Sequence, residues 1–254
     1  MRKGTKGWGL LLASVLFANG ARADEVTVAV AANFLEPLKA MAPFFEKKTG
    51  HKIEPRPGST GELYAQITND APYDVFLSAD VERPKKLIAE GKAVKGSRFT
   101  YAIGRVVLWS PDEKRIPEKG KKALEGDFKH IALADPKTAP YGLATKQALE
   151  KLKLWKAVED NVVYGQNISQ TLQFLTSGNA ELGFVALSQL DGPGKKPTGS
   201  RWLVPKDLHE PIEQDAVLLV RAKDSKAAKS FLDYLQSKGG RKLIRAFGYE
   251  AKKE

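Results

Sequence analysis

The chain has 254 residues, 42% of them hydrophobic, with no cysteine and a formal net charge of +11. Such a length supports one or two domains with a substantial core, and the lack of cysteine excludes disulfides, thiolate catalysis and cysteine-ligated metals. The Lys and Arg residues are scattered beside Glu and Asp and do not form a stripe, which argues against a nucleic-acid partner.

Residues 1–23 read as a secretory signal. Arg2, Lys3 and Lys6 precede an apolar run from Gly9 to Ala18, and Ala21-Arg22-Ala23 makes a small-x-small cleavage site before Asp24. The run is shorter than the ~20 residues of a membrane span. Loss of Arg2, Lys3, Lys6 and Arg22 lowers the net charge to +7, and the expected product is exported and soluble. A positive envelope steers anions toward a site.

The apolar residues of 26–30 predict a strand, followed by Asn33-Phe34-Leu35-Glu36, a cap residue with an acid three positions on. Leu35, Leu38, Met41, Phe44 and Phe45 recur at helical spacing, so residues 34–48 read as an amphipathic helix closed by Gly50. An extended run over 52–55 leads to Gly58-Ser59-Thr60-Gly61-Glu62. There Ser59 and Glu62 form a capping box at the head of a helix carrying Leu63 and Ile67. Residues 74–79 are continuously apolar enough for a strand buried on both faces, with a helix over 81–90. Residues 100–109 predict a long strand containing Gly104, which points to a bend or a close backbone approach.

After a polar surface loop over 114–122 the pattern restarts: strand 130–134, helix 141–152, strand 161–164, helix 168–176, strand 182–187. Asn167 with Gln170 repeats the cap signature. A Gly/Pro/Lys loop over 191–200 precedes a long strand over 214–221, and 225–247 reads as one or two helices around Gly239-Gly240. Alternating strands and helices mean an α/β fold with parallel sheets. The long strands near residues 100 and 217 flank the middle third. They predict two lobes, 24–103 with 218–254 and an inserted 104–217, joined by two crossing strands around a ligand cleft.

Three times, then, a strand runs into a polar loop and a capped helix. A helix start exposes unpaired N–H groups and the positive end of the dipole, and several converging at strand ends suit an anion. His51, His130 and His209 lack metal-ligand spacing and read as surface or capping residues. No phosphate loop, nucleophile elbow or acid/base carboxylate pair stands out, so no enzyme is expected.

Ala31-Ala32-Asn33-Phe34, Gly58-Ser59-Thr60-Gly61, the stretch 71–80, Ala139-Pro140-Tyr141-Gly142 and Leu182-Gly183-Phe184-Val185-Ala186 together carry a resemblance. They resemble, in order and over the whole mature chain, the periplasmic molybdate-binding proteins, the soluble receptors of ABC importers for molybdate and tungstate. The resemblance implies the two-lobed periplasmic-binding-protein fold of the second type, a periplasmic location, an ABC transporter permease as partner, and a monomer. It implies no cofactor: molybdenum would enter only as molybdate or tungstate.

Carried over by motif, the oxyanion-binding residues are Ala32, Asn33, Ser59, Thr60, Tyr141 and Ile168. Ala32 departs from the hydroxyl residue common there and offers only its backbone N–H, as does Ile168. Ser59 serves as cap, ligand contact or both, Thr60 and Asn33 read as contacts, and Asn167 reads as a cap. Tyr141, next to Pro140 at a first helical position, is expected on an exposed helix start. Molybdate is fully ionised at neutral pH, so every oxygen accepts and the site needs donors only. Neutral donors avoid the several kcal/mol it takes to bury a cation, and a buried carboxylate is expected to be absent. Phosphate, which keeps a proton near neutral pH, would favour an acceptor. A smaller oxyanion such as sulfate or phosphate is the alternative ligand, and an enzyme on the same fold is a more distant one.

Overall fold

The computed structural model describes residues 24–251; the secretory signal predicted over 1–23 lies outside them. The first lobe opens with β1 (Glu25–Ala31), α1 (Leu35–Thr49), β2 (Lys52–Gly58), α2 (Thr60–Thr68), β3 (Val75–Leu77), α3 (Glu82–Ala89) and β4 (Phe99–Gly104). The chain passes at Arg105 into β5 (Val106–Ser110), then β6 (Ile131–Ala134), α4 (Pro140–Lys151), α5 (Trp155–Val158), β7 (Val162–Gly165) and α6 (Ile168–Thr176). The second lobe closes with β8 (Leu182–Ala186), α7 (Leu187–Leu190) and β9 (Ser200–Leu203). Strand β10 (Ile212–Leu218) and helices α8 (Lys226–Gln236) and α9 (Lys238–Ala246) return to the first lobe.

Each lobe is built on one five-stranded sheet, ordered β2-β1-β3-β10-β4 in the first and β7-β6-β8-β5-β9 in the second. The sheets are mixed, not purely parallel as the alternation suggested. Strands β2, β1 and β3 run parallel, but β10 is antiparallel to both β3 and β4. In the second sheet β7, β6 and β8 are parallel, and β5 is antiparallel to β8 and β9. The antiparallel strands are the ones next to the crossings, where the chain enters a lobe from its neighbour instead of through a helix on the sheet.

The strand predicted over 100–109 is the first crossing, divided at Arg105 between the two sheets. The second crossing runs through 204–211. Residues 212–217, assigned to the inserted lobe from sequence, therefore belong to the first sheet, because β10 pairs there along its length. Strand β9 was not anticipated: Ser200-Arg201-Trp202-Leu203 is short and half polar, as sheet-edge strands are. The C-terminal helices part at Ser237, whose side chain accepts from the Gly240 N–H, and not at the glycines themselves.

Helices cover both faces of each sheet. In the first lobe Val26, Val28 and Val30 of β1 pack with Leu38, Met41 and Phe45 of α1 and Phe231 of α8. On the other face Ala29 and Phe76 meet Leu63, Ile67 and Leu87. At ~1.5–3 kcal/mol for each fully buried large apolar side chain, the periodic stripe of α1 is what anchors it to the sheet. The run Val75-Phe76-Leu77 is fully buried, as its continuous hydrophobicity implied. The core of the second lobe, around Leu108, Leu133, Leu149 and Phe184, extends to Ala31, Ala32, Ala79 and Ile212 of the first, so the lobes meet over the cleft.

Candidate functional site

Four chain segments bring their N-termini to one point between the lobes. A single turn of 3-10 helix over Ala32–Phe34 follows β1, α2 follows β2, α4 follows the loop after β6, and α6 follows β7. Ala32, Asn33, Ser59, Thr60, Tyr141 and Ile168, all six of the residues singled out from sequence, line one small cavity there. Its volume is about 10 Å³, close to the least that holds one water. Gly58, Ala79, Ala139, Pro140 and Asn167 complete much of the wall, and no lining residue carries a charge. The opposing walls come from both lobes, so the cavity exists by virtue of their contact.

Ser59 is the N-cap of α2. Its Oγ accepts from the Glu62 N–H at 3.3 Å, and the Glu62 carboxylate accepts from the Ser59 N–H at 3.1 Å, so the predicted capping box is complete. That bond uses the oxygen and leaves the hydroxyl proton for another acceptor. Thr60 is buried at the first helical position, and its Oγ1 accepts from the Ala79 N–H at 3.0 Å. This contact fixes the side chain and likewise leaves the proton to give. Asn167 caps α6 as expected, accepting from the Ser169 and Gln170 N–H groups at 3.0 and 3.1 Å.

Two residues sit differently from the sequence reading. Asn33 is no helix cap: Phe34 holds the N-cap position of α1 without a side-chain bond. The Asn33 amide turns inward and donates to Gln214 Oε1 and to the Tyr249 hydroxyl, both at 2.8 Å. Both its N–H donors are thereby committed. Tyr141 is 2% exposed, not on an open helix start. Closure of the lobes covers it, and its hydroxyl accepts from Gln214 Nε2 at 3.2 Å.

The residues that sequence reasoning missed stand behind these two. Gln214, Tyr101, Tyr249 and Ser188 form a buried hydrogen-bonded cluster with Asn33 and Tyr141. The Tyr249 hydroxyl lies 2.9 Å from the Asn33 carbonyl and 3.0 Å from Ser188 Oγ, which itself donates to that carbonyl at 2.9 Å. Burial pushes the Tyr249 phenol up to about 12. It drives Tyr101 and Tyr141 well above the ordinary tyrosine value as well. All three phenols are neutral donors over the physiological range. Gly104 carries the one signal that was visible in advance: the glycine inside the crossing strand allows a close approach, by Tyr141 and Gln214.

His209, read as a surface or capping residue, is buried and holds the C-cap position of the 3-10 turn Lys206–Leu208, with Nδ1 2.7 Å from the Glu210 carbonyl; it lies away from the cavity. Among the described residues no cluster of three or more His, Cys, Asp or Glu side chains is placed to hold a metal ion. No described helix is long and apolar enough to cross a membrane. The site's chemistry is that of hydrogen-bond donation to a small guest.

Comparison with known proteins points the same way. The family described as bacterial extracellular solute-binding protein matches residues 26–250. Molybdate-binding protein ModA of Azotobacter vinelandii is 51% identical over 238 residues, covering 94% of each chain. The protein of the same name from Rhodobacter capsulatus is 49% identical over 229 residues, covering 90% of this chain and 89% of its own. The solved structure of the Azotobacter vinelandii periplasmic molybdate-binding protein matches with a TM-score of 0.87 at 40% identity, over 90% of this chain and 100% of that one.

Proposed function

This chain belongs to the bacterial extracellular solute-binding proteins, and within them to the molybdate-binding proteins of ABC importers, and from that membership we propose how it works. It captures molybdate in the inter-lobe cavity and delivers it to the membrane permease of its transporter. Tungstate, of the same shape and charge, is bound in the same way. Molybdenum is cargo here, held only as the oxyanion. The protein acts in the periplasm, as a monomer, and catalyses no reaction.

The observation that carries this reading is a cavity of neutral donors where helix N-termini converge, with no charged side chain in its wall. The Ser59, Thr60 and Tyr141 hydroxyls supply protons. The backbone N–H groups of Ala32, Asn33, Thr60 and Ile168 supply more, since first-turn N–H groups have no acceptor within their own helix. The dipoles of α2, α4 and α6 add partial positive charge already in place. A dianion accepts from all of these at once, without the desolvation cost of a buried Lys or Arg. Both lobes contribute, so binding and closure are one equilibrium: the closed form gains whatever the anion's contacts are worth.

Calorimetry of the mature protein with molybdate, tungstate, sulfate and phosphate tests the reading. One-to-one heats with the first two and none with the others are expected. No heat with molybdate overturns it, and heat with sulfate or phosphate assigns the cavity to a smaller oxyanion.

A further inference from the structure

Gln214 touches the candidate site only through Tyr141 and Asn33, and three independent observations fit it to Tyr141. It is fully buried in β10 of the first lobe, while Tyr141 heads α4 of the second, so the 3.2 Å bond from Gln214 Nε2 to the Tyr141 hydroxyl spans the cleft. Gly104 clears the space for it. A Cβ at that position would lie 2.1 Å from the Tyr141 hydroxyl and 2.7 Å from Gln214 Nε2, distances no side chain tolerates. The β10–β4 register also slips here: Gln214 faces Ala102 and Asp215 faces Thr100, leaving Tyr101 as a bulge. Bulges re-aim side chains beside functional sites. This one brings the Tyr101 hydroxyl to 3.2 Å from Gln214 Oε1, while Asp215 pairs with Arg98 and Thr100.

The polarity of Gln214 follows from its neighbours. Asn33 Nδ2 donates to Gln214 Oε1 at 2.8 Å, so the oxygen faces Asn33 and the NH₂ group faces Tyr141. A phenol has one proton and two acceptor positions. With an acceptor position filled by Gln214, the Tyr141 proton is left to donate; Tyr249 is its phenol neighbour within the protein. A dianion is a much stronger acceptor than a neutral phenol.

We propose that Gln214 is the positioning residue for Tyr141: on closure its amide occupies the acceptor side of the hydroxyl and fixes Tyr141 as a donor to the bound oxyanion. The proposal rests on the reading of Tyr141 as a ligand contact. It makes Gln214 a determinant of specificity, because an amide already donating to one of the two acceptor positions of the Tyr141 hydroxyl disfavours receipt of a proton from an anion such as hydrogenphosphate.

The test is a double-mutant cycle on the mature chain, titrated with molybdate. Tyr141→Phe weakens binding roughly tenfold, the worth of one good hydrogen bond. Gln214→Met weakens it by a similar factor in the native background and by almost nothing further in the Tyr141→Phe background. Gln214→Glu keeps the shape and reverses the polarity once ionised. Its molybdate affinity falls with rising pH between ~6 and ~9, the range into which burial lifts such an acid. The native affinity stays flat there, since the phenols facing position 214 (Tyr101, Tyr141 and, through Asn33, Tyr249) stay protonated and Asp215 is engaged with Arg98 and Thr100. Equal losses from Gln214→Met in both backgrounds, or a flat Gln214→Glu profile, overturn the positioning role. An unchanged affinity in Tyr141→Phe overturns the contact reading itself. Thermal melts of each variant separate misfolding from lost affinity, and either substitution at 214 suffices if the other fails to fold.

Discussion

The Gly61 N–H donates to the Thr138 carbonyl at 2.9 Å, a bond from the second residue of α2 in one lobe to the loop before α4 in the other. Beside it Arg83, held by Asp80, reaches the Lys137 carbonyl at 3.3 Å. The two contacts act as a clasp at the edge of the cleft. Each forms only when the lobes are together.

Alanine at position 61 separates closure from folding. A Cβ there would lie 3.0 Å from Thr138 Cα and 3.1 Å from both the Thr138 oxygen and Arg83 Nη2, so the lobes must stand slightly apart. Gly61→Ala is expected to speed molybdate release severalfold in stopped-flow experiments. The melting temperature of the ligand-free protein should hold or rise, since Ala favours a helix over Gly by ~1 kcal/mol.

Ser59→Ala and Thr60→Val should divide stability from binding in different proportions. Loss of the Ser59 cap costs ~1 kcal/mol of unfolding free energy and one ligand donor. Thr60→Val leaves the Ala79 N–H buried without its acceptor, at ~1–3 kcal/mol, and removes another donor. Denaturant melts with and without molybdate report both quantities, and Thr60→Val is expected to be the more damaging to the fold.

Alkaline pH should unfold the protein through its buried phenols. Tyr249 titrates near 12 in the native state against an ordinary value of 10, so the native chain keeps a proton that the unfolded chain gives up. Stability from this source is complete below pH ~10 and is lost as pH rises through ~12, roughly 2–3 kcal/mol in all. Tyr101 and Tyr141, displaced in the same direction, add to the slope. Denaturant melts between pH ~9 and ~12 measure it, and Tyr249→Phe should flatten it.

Salt should act on capture and not on retention. The cavity wall carries no charge, so the dissociation rate is expected to change little with added chloride salt. The association rate should fall, because the net positive envelope attracts the anion over distances of a Debye length, ~10 Å at 0.1 M.

What could be read from the chain alone was local. Ser59 with Glu62 and the Asn167 cap announce themselves within three residues, the alternation of apolar strands with amphipathic helices marks an α/β fold, and the two long strands near 100 and 217 point to two lobes. The supporting cluster is different in kind. Gln214 lies 73 residues from Tyr141 and Tyr249 lies 216 from Asn33, and no spacing rule connects them. Asn33 reads locally as a contact and a cap residue, and the engagement of its amide was hidden for the same reason: its partners Gln214 and Tyr249 lie far along the chain. The burial of Tyr141 depends on a lobe that α4 does not belong to.

The position of β10 has a bearing on how the molecule comes into being. This strand lies between β3 and β4 in the first sheet, yet it is made after the whole second lobe. The second lobe is one unbroken stretch, synthesised in full before β10. The first waits with a gap in the middle of its sheet until β10, in the final sixth of the chain, emerges. Its early segments would meanwhile expose the unpaired edges of β3 and β4, surfaces prone to pairing with other chains. For a protein destined for export such a delay is an advantage: it stays threadable until its last helices follow.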